Sequence, residues 1–291
     1  MSNTKKKSFR EKVLDHPVNS LISIFFIYLF ATLFFSFAFP WLSKVVLPHT
    51  SAGIYNKEFW VDLLVNLNAS LIDFVFFGIA LFLLQRRNER NSAITEMMNE
   101  LSDISKYKDQ VVNLRKIGLI RRLGELKHYK FTMHRMVISG DSIEVRDIIF
   151  KNSDFTGMEG ENIYVNGMDV SYSSLMSSTF NKSKIKNAAF NFCNLKNIKF
   201  KDAKLRNTTF ASCNLSGANL NNTDLQSVKL AGCNMENVNF EGAILDRASL
   251  KGAKNLDIVQ LCKAKSLNYI ALEDHLKLQI KSLRPDVRFS K

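Results

Sequence analysis

Three cysteines at a constant spacing are the side chains of this sequence whose arrangement most suggests a chemical role. Cys193, Cys213 and Cys233 lie twenty residues apart, so they would stack in one line in any structure that repeats every twenty residues. A tetrahedral zinc site needs ligands on several sides of the ion, which a single line does not provide. We therefore interpret the three cysteines as small core residues of a repeat and expect no metal site.

Other arrangements that carry chemistry are absent from the sequence. The five histidines lie in separate segments without HExxH spacing, and the sequence has no GxSxG elbow, phosphate-binding glycine loop or dinucleotide fingerprint. The four cysteines include no CxxC pair. These absences predict a protein that is not an enzyme and that needs no cofactor.

A dense group of positive charges lies in the second half of the sequence, opposed only by Asp202. Between residues 182 and 206 the basic residues are Lys182, Lys184, Lys186, Lys196, Lys199, Lys201, Lys204 and Arg206. Lys184 and Lys204 are twenty residues apart, as are Lys186 and Arg206, so like charges would be neighbours on successive turns. This edge predicts either a solvated surface or contact with an anionic partner such as an acidic protein or a phospholipid. Nucleic acid is the weaker candidate, because no interleaved aromatic residues support base stacking.

Four polar residues interrupt an apolar run at residues 60–84. Asp62, Asn66, Ser70 and Asp73 recur at spacings of four, four and three, so they line one face of a helix. A carboxylate in the middle of a membrane span is costly unless it is paired, solvated or protonated. The stripe predicts either a polar seam or pore in an oligomer, or a packing hydrogen bond made by a neutral Asp73.

The element that positions most of these residues is a period of five. Every fifth residue from Phe150 to Leu250 is large and apolar, with Gly160 as the exception. Two residues before each, sixteen of twenty positions from Ser153 to Ala248 are Ser, Ala, Cys, Thr or Val. Five matches neither the period of a helix nor that of a strand. It fits a coil with flat sides of five residues, each turning one large and one small side chain inward.

Four such sides would make one turn of twenty residues. Each of the three cysteines begins a triplet, Cys-Asn-Leu or Cys-Asn-Met, at that spacing. Phe180, Phe200 and Phe240 also follow it, with Leu220 between them, so these side chains are expected to stack as a column. The asparagines of the triplets would form an amide ladder along the wall of the coil.

This pattern resembles that of the pentapeptide-repeat proteins, whose unit A(D/N)Lxx is matched by Ser-Gly-Ala-Asn-Leu at residues 216–220. The resemblance implies a right-handed quadrilateral β-helix over residues 148–255. The early repeats depart from the pattern, since Gly160 replaces a large core residue and three larger residues replace small ones. These three are Met158, Ile163 and Met168. We expect the first turn and a half to be irregular.

Two apolar runs precede the repeats and predict a membrane hairpin. Residues 1–17 form a basic segment, residues 18–39 a first transmembrane helix, residues 40–59 a short external loop and residues 60–84 a second helix. Each run is long enough to cross a hydrocarbon core of about 30 Å. A secretory signal peptide fits less well, because the first run is too long and lacks a cleavage site. Both outer flanks are more basic than the loop, so the termini are expected to be cytoplasmic in an inner or plasma membrane.

Helices are expected on both sides of the repeats. Residues 85–147 carry apolar residues at helical spacing, which predicts an amphipathic linker. Within it, residues 116–123 look like the segment that caps the first turn in membrane-bound pentapeptide proteins. Residues 256–291 predict a C-terminal helical cap, whose apolar stripe is Leu272, Leu276, Ile280 and Leu283.

These features favour a non-enzymatic scaffold, held at the membrane by the hairpin and presenting the repeats to cytosolic partners or to another copy of itself. The alternative is an oligomeric membrane effector or channel-like protein, for example in bacterial defence, whose hairpin perturbs the membrane under control of the repeats. The resemblance also implies a third role, the topoisomerase protection known for some soluble family members with an acidic, DNA-like surface. The formal net charge of +13 argues against that role.

Overall fold

A computed structural model describes residues 17–45, 57–141 and 143–289 of the chain. The chain divides into two compact units between Ser92 and Ala93, and each unit is treated by itself below. Of the predicted segments, residues 1–16 of the basic N-terminus and residues 46–56 of the external loop lie outside the described residues.

The first unit consists of two helices that extend beyond the predicted spans. Helix α1 (Pro17–Val45) continues through Pro40, and helix α2 (Lys57–Ile104) runs without a break past residue 84. Each helix contains a stretch long and apolar enough to cross a membrane, and at most 6% of the residues in those stretches are buried. The helices are therefore candidate membrane spans by length and composition.

Helices α1 and α2 contact each other through one side of each. The rings of Phe25 and Phe74 stack with their centroids 5.5 Å apart. Further along α1, the Ser36 hydroxyl accepts a hydrogen bond of 3.2 Å from the Asn68 amide. From Phe25 to Ser36 the contact residues of α1 have increasing numbers, whereas their partners in α2, Phe74 and Asn68, have decreasing numbers. The two helices are therefore antiparallel and form a hairpin.

The second unit begins with the last part of α2 and with helix α3 (Gln110–Glu125). Asp109 caps α3, since its carboxylate accepts hydrogen bonds from the backbone N–H groups of Val111 and Val112. The helix contacts strand β1 (Glu144–Lys151). The predicted cap at residues 116–123 therefore lies in a helix that packs on the first strand. Its buried apolar residues are Ile117, Leu119, Ile120 and Leu123.

A parallel β-solenoid forms the body of the second unit. After β1, its regular strands are β2 (Tyr164–Ser171), β3 (Lys184–Lys186), β4 (Ala189–Asn191) and β5 (Thr209–Ala211). Strand β2 pairs in parallel with β1, β3 and β4, and β4 pairs with β5, always with an offset of twenty residues. Isolated bridges continue the same offset in four columns, so each turn has four sides of five residues. The columns pass through Ser174, Thr179, Lys184 and Ala189.

The period-five residues form the core of this solenoid. All twenty large apolar residues from Phe150 to Leu250 are buried, and so are the residues two positions before each of them. The small polar side chains among them bond to backbone carbonyl groups. Thr223 Oγ1, for example, donates to the carbonyl oxygen of Phe200 at 2.8 Å. Because an unpaired buried hydroxyl is costly, these hydrogen bonds explain how Ser and Thr can line the interior.

Each side of the coil ends in a corner where one residue adopts the left-handed region. The corner residue follows each large core residue by two positions, and φ lies between 50° and 75° at all corners from Asp147 to Gly252. Most corners hold Asn, Asp, Ser or Gly, which adopt this conformation at the lowest cost. The corner side chains also lie close to the next turn, since a Cβ on Gly217 would come within 2.2 Å of Asn197 Oδ1.

The first repeats are regular, which corrects our expectation of an irregular first turn and a half. The space at Gly160 is filled from the next turn, because a Cβ on Gly160 would lie only 2.4 Å from the Phe180 ring. The larger residues that replace small ones are all buried, namely Met158, Ile163 and Met168. Core volume lost at one position is thus supplied by neighbouring positions.

The bridged coil is longer than the predicted range 148–255. The additional bridges join Thr132 to Asp154, Val137 to Glu159, Ile244 to Ser266 and Ser249 to Ala271. Each of these pairs is offset by 22 residues instead of twenty. Two inserted residues at each end therefore shift these segments out of the five-residue register.

Two short helices cover the C-terminal end of the second unit. They are α4 (Ile258–Leu261) and α5 (Asp274–Leu283). Of the predicted apolar stripe, Leu272 is buried ahead of α5 and Ile280 is buried within it, whereas Leu283 is exposed. The end of the chain thus packs on the solenoid through part of the predicted stripe.

Candidate functional site

The predicted basic edge forms one continuous hollow on the surface of the solenoid. Lys184 and Lys186 lie on β3, where exposed residues flank the buried Ile185, and Lys204 pairs with Lys184 on the next turn. We call this hollow the basic face, and it is lined by Lys184, Lys186, Asn187, Lys204, Arg206 and Asn207. The four cationic side chains of the predicted edge are therefore brought together.

An acidic residue that the sequence analysis did not include lies at the border of the basic face. Arg206 Nε forms an ion pair of 2.5 Å with Asp224 Oδ2, and the Asp224 side chain is only 11% exposed. Lys184, Lys186 and Lys204 form no ion pair with any residue that the structure describes. The hollow thus holds three uncompensated ammonium groups and one compensated guanidinium.

The twenty-residue register could have revealed this acid, because Asp224 follows Lys204 by one turn. On the preceding turn, Lys186 Nζ lies 5.9 Å from the centroid of the Tyr164 ring, which is close enough for a cation–π contact. Neither contact was predicted, although the register places Asp224 and Tyr164 on the turns next to the lysines.

The cysteine column lies inside the coil. Cys193, Cys213 and Cys233 are buried, and the thiol of Cys193 contacts the Val170 carbonyl oxygen at 3.3 Å. A hydrogen bond with Cys213, together with burial, raises the pKa of Cys193 far above its usual range. The hydrogen bond with Cys193 lowers the pKa of Cys213, but the hydrogen bond with Cys233 and burial together outweigh it, so this pKa rises to about 12. No group of three or more His, Cys, Asp or Glu side chains is placed to hold a metal ion in the described segments.

The phenylalanines stack along the axis of the coil. The rings of Phe180 and Phe200 lie 5.8 Å apart at an angle of 26°, and those of Phe190 and Phe210 lie 4.9 Å apart at 6°. Phe240 is also buried. These columns are core structure and offer no surface to a partner.

The asparagine ladder is only partly formed. Asn234 Nδ2 lies 3.4 Å from Asn214 Oδ1, a long hydrogen bond. The oxygens of Asn194 and Asn214 also accept hydrogen bonds from the backbone N–H groups two residues later. These asparagines therefore stabilise their own turns more than they bond to one another.

The predicted polar stripe lies on an exposed side of α2. Its four residues are Asp62, Asn66, Ser70 and Asp73, all of them exposed. Contacts with α1 are made by Leu67, Asn68, Phe74 and Gly78, whose side of α2 is centred about a third of a turn or more from the stripe. Helix α1 therefore leaves the stripe uncovered.

A fully buried lysine was not anticipated from the sequence. Lys116 Nζ donates hydrogen bonds of 2.6 Å to the carbonyl oxygens of Tyr107 and Val137, and one of 3.0 Å to Asn113 Oδ1. Burial lowers its pKa to about 8. The side chain joins the loop before α3 to the first turn of the solenoid. In sequence it resembles the other basic residues of the linker, so only the packing reveals it.

An exposed aromatic pair was also missed. Tyr172 and Phe192 occupy corners on successive turns, and their rings stack with centroids 5.1 Å apart at an angle of 5°. We call this pair the aromatic corner. The register contained the information, because both residues stand where Asn, Asp, Ser and Gly otherwise predominate.

Comparison with protein families supports the nature of the repeats. Residues 183–259 match a family described as "Pentapeptide repeat region". A comparison with curated proteins found no match. Together with the observed sides of five residues, the family match makes this part of the chain a pentapeptide repeat β-solenoid.

Several solved structures are similar to this chain. Full-length QnrB1, a plasmid-mediated fluoroquinolone resistance protein, is 13% identical over 53% of this chain and 97% of its own, with a TM-score of 0.29. HetL, involved in heterocyst differentiation regulation in the cyanobacterium Nostoc sp. strain PCC 7120, is 21% identical over 53% of this chain and 76% of its own, with a TM-score of 0.18. A pentapeptide repeat protein from the thylakoid lumen of Arabidopsis thaliana is 23% identical over 42% of this chain and 77% of its own, with a TM-score of 0.19.

Proposed function

We propose that this chain is a non-enzymatic scaffold that α1 and α2 anchor in a membrane and whose pentapeptide repeats bind a protein or another anionic partner. The observation that carries the proposal is the basic face, where Lys184, Lys186 and Lys204 converge and the one bordering acid, Asp224, is paired with Arg206. Like charges on neighbouring strands oppose folding, so an anion bound between them would relieve a repulsion.

The exposure of α1 and α2 supports the membrane anchor. Phe30, Phe37 and Phe76 are 74%, 83% and 69% exposed, and most other apolar residues of these helices are exposed as well. Such continuous apolar surface is unfavourable in water and favourable in lipid. The excess of basic residues outside the hairpin supports a location of both termini in the cytoplasm.

Charge reversal on the basic face tests the scaffold. We expect Lys184→Glu, Lys186→Glu and Lys204→Glu, combined in the full chain, to abolish recovery of cross-linked partners from membranes. Arg206 stays unchanged, because it is paired with Asp224. Membrane insertion, measured by resistance to carbonate extraction, should be unaffected.

A matched control reverses three lysines of the same solenoid that lie on other sides. Lys196→Glu, Lys199→Glu and Lys201→Glu change the net charge equally, so they should leave partner recovery intact. Equal loss in both triple variants would mean that net charge alone matters. Undiminished recovery in the first variant would reject the basic face as the binding site.

One observation favours a second candidate function, an oligomeric membrane effector. The stripe of Asp62, Asn66, Ser70 and Asp73 lies outside the side of α2 that contacts α1, so in a membrane it would face lipid unless another molecule covered it. A second copy of the hairpin can supply polar groups to the stripe, and a polar path between hairpins would conduct ions.

Membrane potential separates the two functions. If the effector function holds, cells that express the full chain lose their potential, whereas cells that express Asp73→Leu keep it. Val75→Leu, a neighbouring exposed residue of the same helix, serves as control and should behave like the wild type. An unchanged potential with the wild-type chain would leave the scaffold as the only function.

A further inference from the structure

The aromatic corner places two large rings where the backbone disfavours them. Tyr172 and Phe192 have φ of 51° and 55°, in the left-handed region. Bulky side chains seldom adopt this region, because Cβ crowds the following carbonyl group. The other residues of the same corner column are small or polar. They are Asn152, Ser212, Gly232 and Gly252.

Burial does not offset this strain. Tyr172 is 62% exposed and Phe192 is 55% exposed, so much of their apolar surface remains in water. The two rings do stack on each other, which stabilises the pair but leaves their outer surface in water. Strained residues with exposed apolar side chains are typical of binding sites, where a partner covers them.

The stack has an accessible end. Phe192 is followed on the next two turns of its corner column by Ser212 and Gly232, whose side chains are too small to reach the ring. Successive turns are about 4.8 Å apart, which leaves room for one more planar group beside the Phe192 ring at the level of Ser212. A further aromatic ring would therefore continue the existing stack.

A flat side of the solenoid connects the aromatic corner with the basic face. This side consists of β4 and β5, and its outward residues have short, uncharged side chains. They are Ala189, Asn191, Thr209 and Ala211. One of its borders is the corner with Asn187 and Asn207, next to Lys186, and its other border is Phe192. An extended chain could lie flat across it.

We infer that this side is a docking strip for an extended peptide segment with an acidic residue at one end and an aromatic residue at the other. The acidic residue would pair with the lysines of the basic face, and the aromatic ring would stack on Phe192. The side is about 13 to 16 Å wide, so the two anchors would be four or five positions apart in an extended segment. The inference rests on the proposed function for the basic face and adds the second anchor.

Charge favours a peptide over a nucleic acid here. A nucleic acid carries a phosphate at every nucleotide and needs cations along its whole path. Between its two borders the strip has no cation on β4 or β5. Asp169 pairs with Ala189 on the preceding turn of the same side, and Lys229 pairs with Thr209 on the following turn. A segment with one acidic end and an uncharged middle matches this distribution.

Peptide selection tests the docking strip. The full chain in lipid nanodiscs is exposed to a displayed library of random peptides of about nine residues, enough to cross the strip in extended form. We expect the selected peptides to share an acidic and an aromatic residue separated by four or five positions. Selected peptides without an aromatic residue, or no enrichment over empty nanodiscs, would overturn the inference.

Variants then locate the bound peptide by fluorescence anisotropy. Phe192→Asn puts a residue that prefers this corner in place of the ring, so the fold should be kept, as circular dichroism can verify. We expect it to weaken binding about tenfold or more, as the loss of an aromatic anchor does. Arg247→Asn, the same kind of change at a left-handed corner three turns away, should leave the affinity unchanged. Unchanged binding in Phe192→Asn would overturn the inference.

The two proposals fail in distinguishable ways. Binding of the selected peptides should also be weaker in the triple variant Lys184→Gln, Lys186→Gln and Lys204→Gln. If they do and Phe192→Asn does not, the basic face stands and the docking strip falls. If neither set of changes weakens binding, both proposals fall. Binding of a labelled oligothymidine that is lost in Phe192→Asn would identify nucleic acid as the partner and overturn the peptide inference.

Discussion

Lys116 is held by two carbonyl oxygens and one amide oxygen, none of which carries a negative charge, so burial of its charge opposes folding while its hydrogen bonds support it. Its pKa is about 8 in the folded chain and about 10.5 when exposed. The folded state therefore binds fewer protons than the unfolded state between these values. The contribution of Lys116 to stability is therefore least favourable below pH 8 and becomes more favourable as the pH rises towards 10.5.

We predict that this increase disappears in Lys116→Met. Over the range from pH 7.5 to 10, the unfolding free energy of the wild type should rise relative to the variant by up to about 3 kcal/mol. Urea unfolding of the full chain in detergent, followed by circular dichroism, measures the difference at each pH. Subtracting the unfolding free energy of the variant from that of the wild type cancels the contributions of all other titrating groups. A difference that does not change with pH would show that Lys116 does not titrate in this range.

Two corner glycines with equal φ separate backbone strain from steric overlap. Gly217 and Gly232 both have φ of 68°, but an added Cβ would lie 2.2 Å from Asn197 Oδ1 in the first and 3.3 Å from Ser212 Oγ in the second. Gly232→Ala should cost about 1 kcal/mol, mostly from backbone strain, because the Ser212 hydroxyl needs to shift only slightly. Gly217→Ala should cost at least about 1 kcal/mol more, because Asn197 must also move. Equal losses in urea unfolding would mean that the Asn197 side chain moves away freely.

At the scale of the element, one side of the coil contains a matched pair of phenylalanines. Phe190 points into the core and is 1% exposed, whereas Phe192 lies two residues later at a corner and is 55% exposed. Phe190→Ala should lower the unfolding free energy by about 3 to 5 kcal/mol, because it leaves a cavity and breaks a stack. Phe192→Ala should change it by less than about 1 kcal/mol. A large loss from Phe192→Ala would show that the aromatic corner is structural, which would also weaken the case for a docking strip.

The elements of the solenoid were predictable as far as the register of five reached. That register identified the core from Phe150 to Leu250, and it placed the four cations of the basic face on successive turns. It failed where two residues are inserted, as between Val137 and Glu159, because the pairing there has an offset of 22. The prediction also missed that the Phe180 ring fills the space left at Gly160, although these residues are one turn apart and the register pairs them.

At the scale of the whole molecule, the sequence did not reveal which surfaces of the helices contact other elements. The burial of Lys116 depends on how α3 packs on the first turn, and no local pattern encodes that contact. The exposure of the polar stripe depends on which side of α2 contacts α1, which helical periodicity alone does not determine. The sequence therefore predicted the candidate residues of the hairpin but not the side of the helix that would need a partner.

The proposed two-pass topology makes a prediction for the whole molecule. All four native cysteines lie in the second unit. Three of them are buried, and the proposed topology places the fourth, Cys262, in the cytoplasm. Wild-type chains in intact cells should therefore not react with a maleimide that cannot cross membranes. Ser51→Cys, in the loop between the spans, should react from outside because the positive-inside rule places that loop outside the cytoplasm. Ser92→Cys, beyond the second span, should react only after the membrane is permeabilised. The opposite pattern would place the solenoid outside the cytoplasm, and reaction of both variants in intact cells would show that the hairpin does not span the membrane.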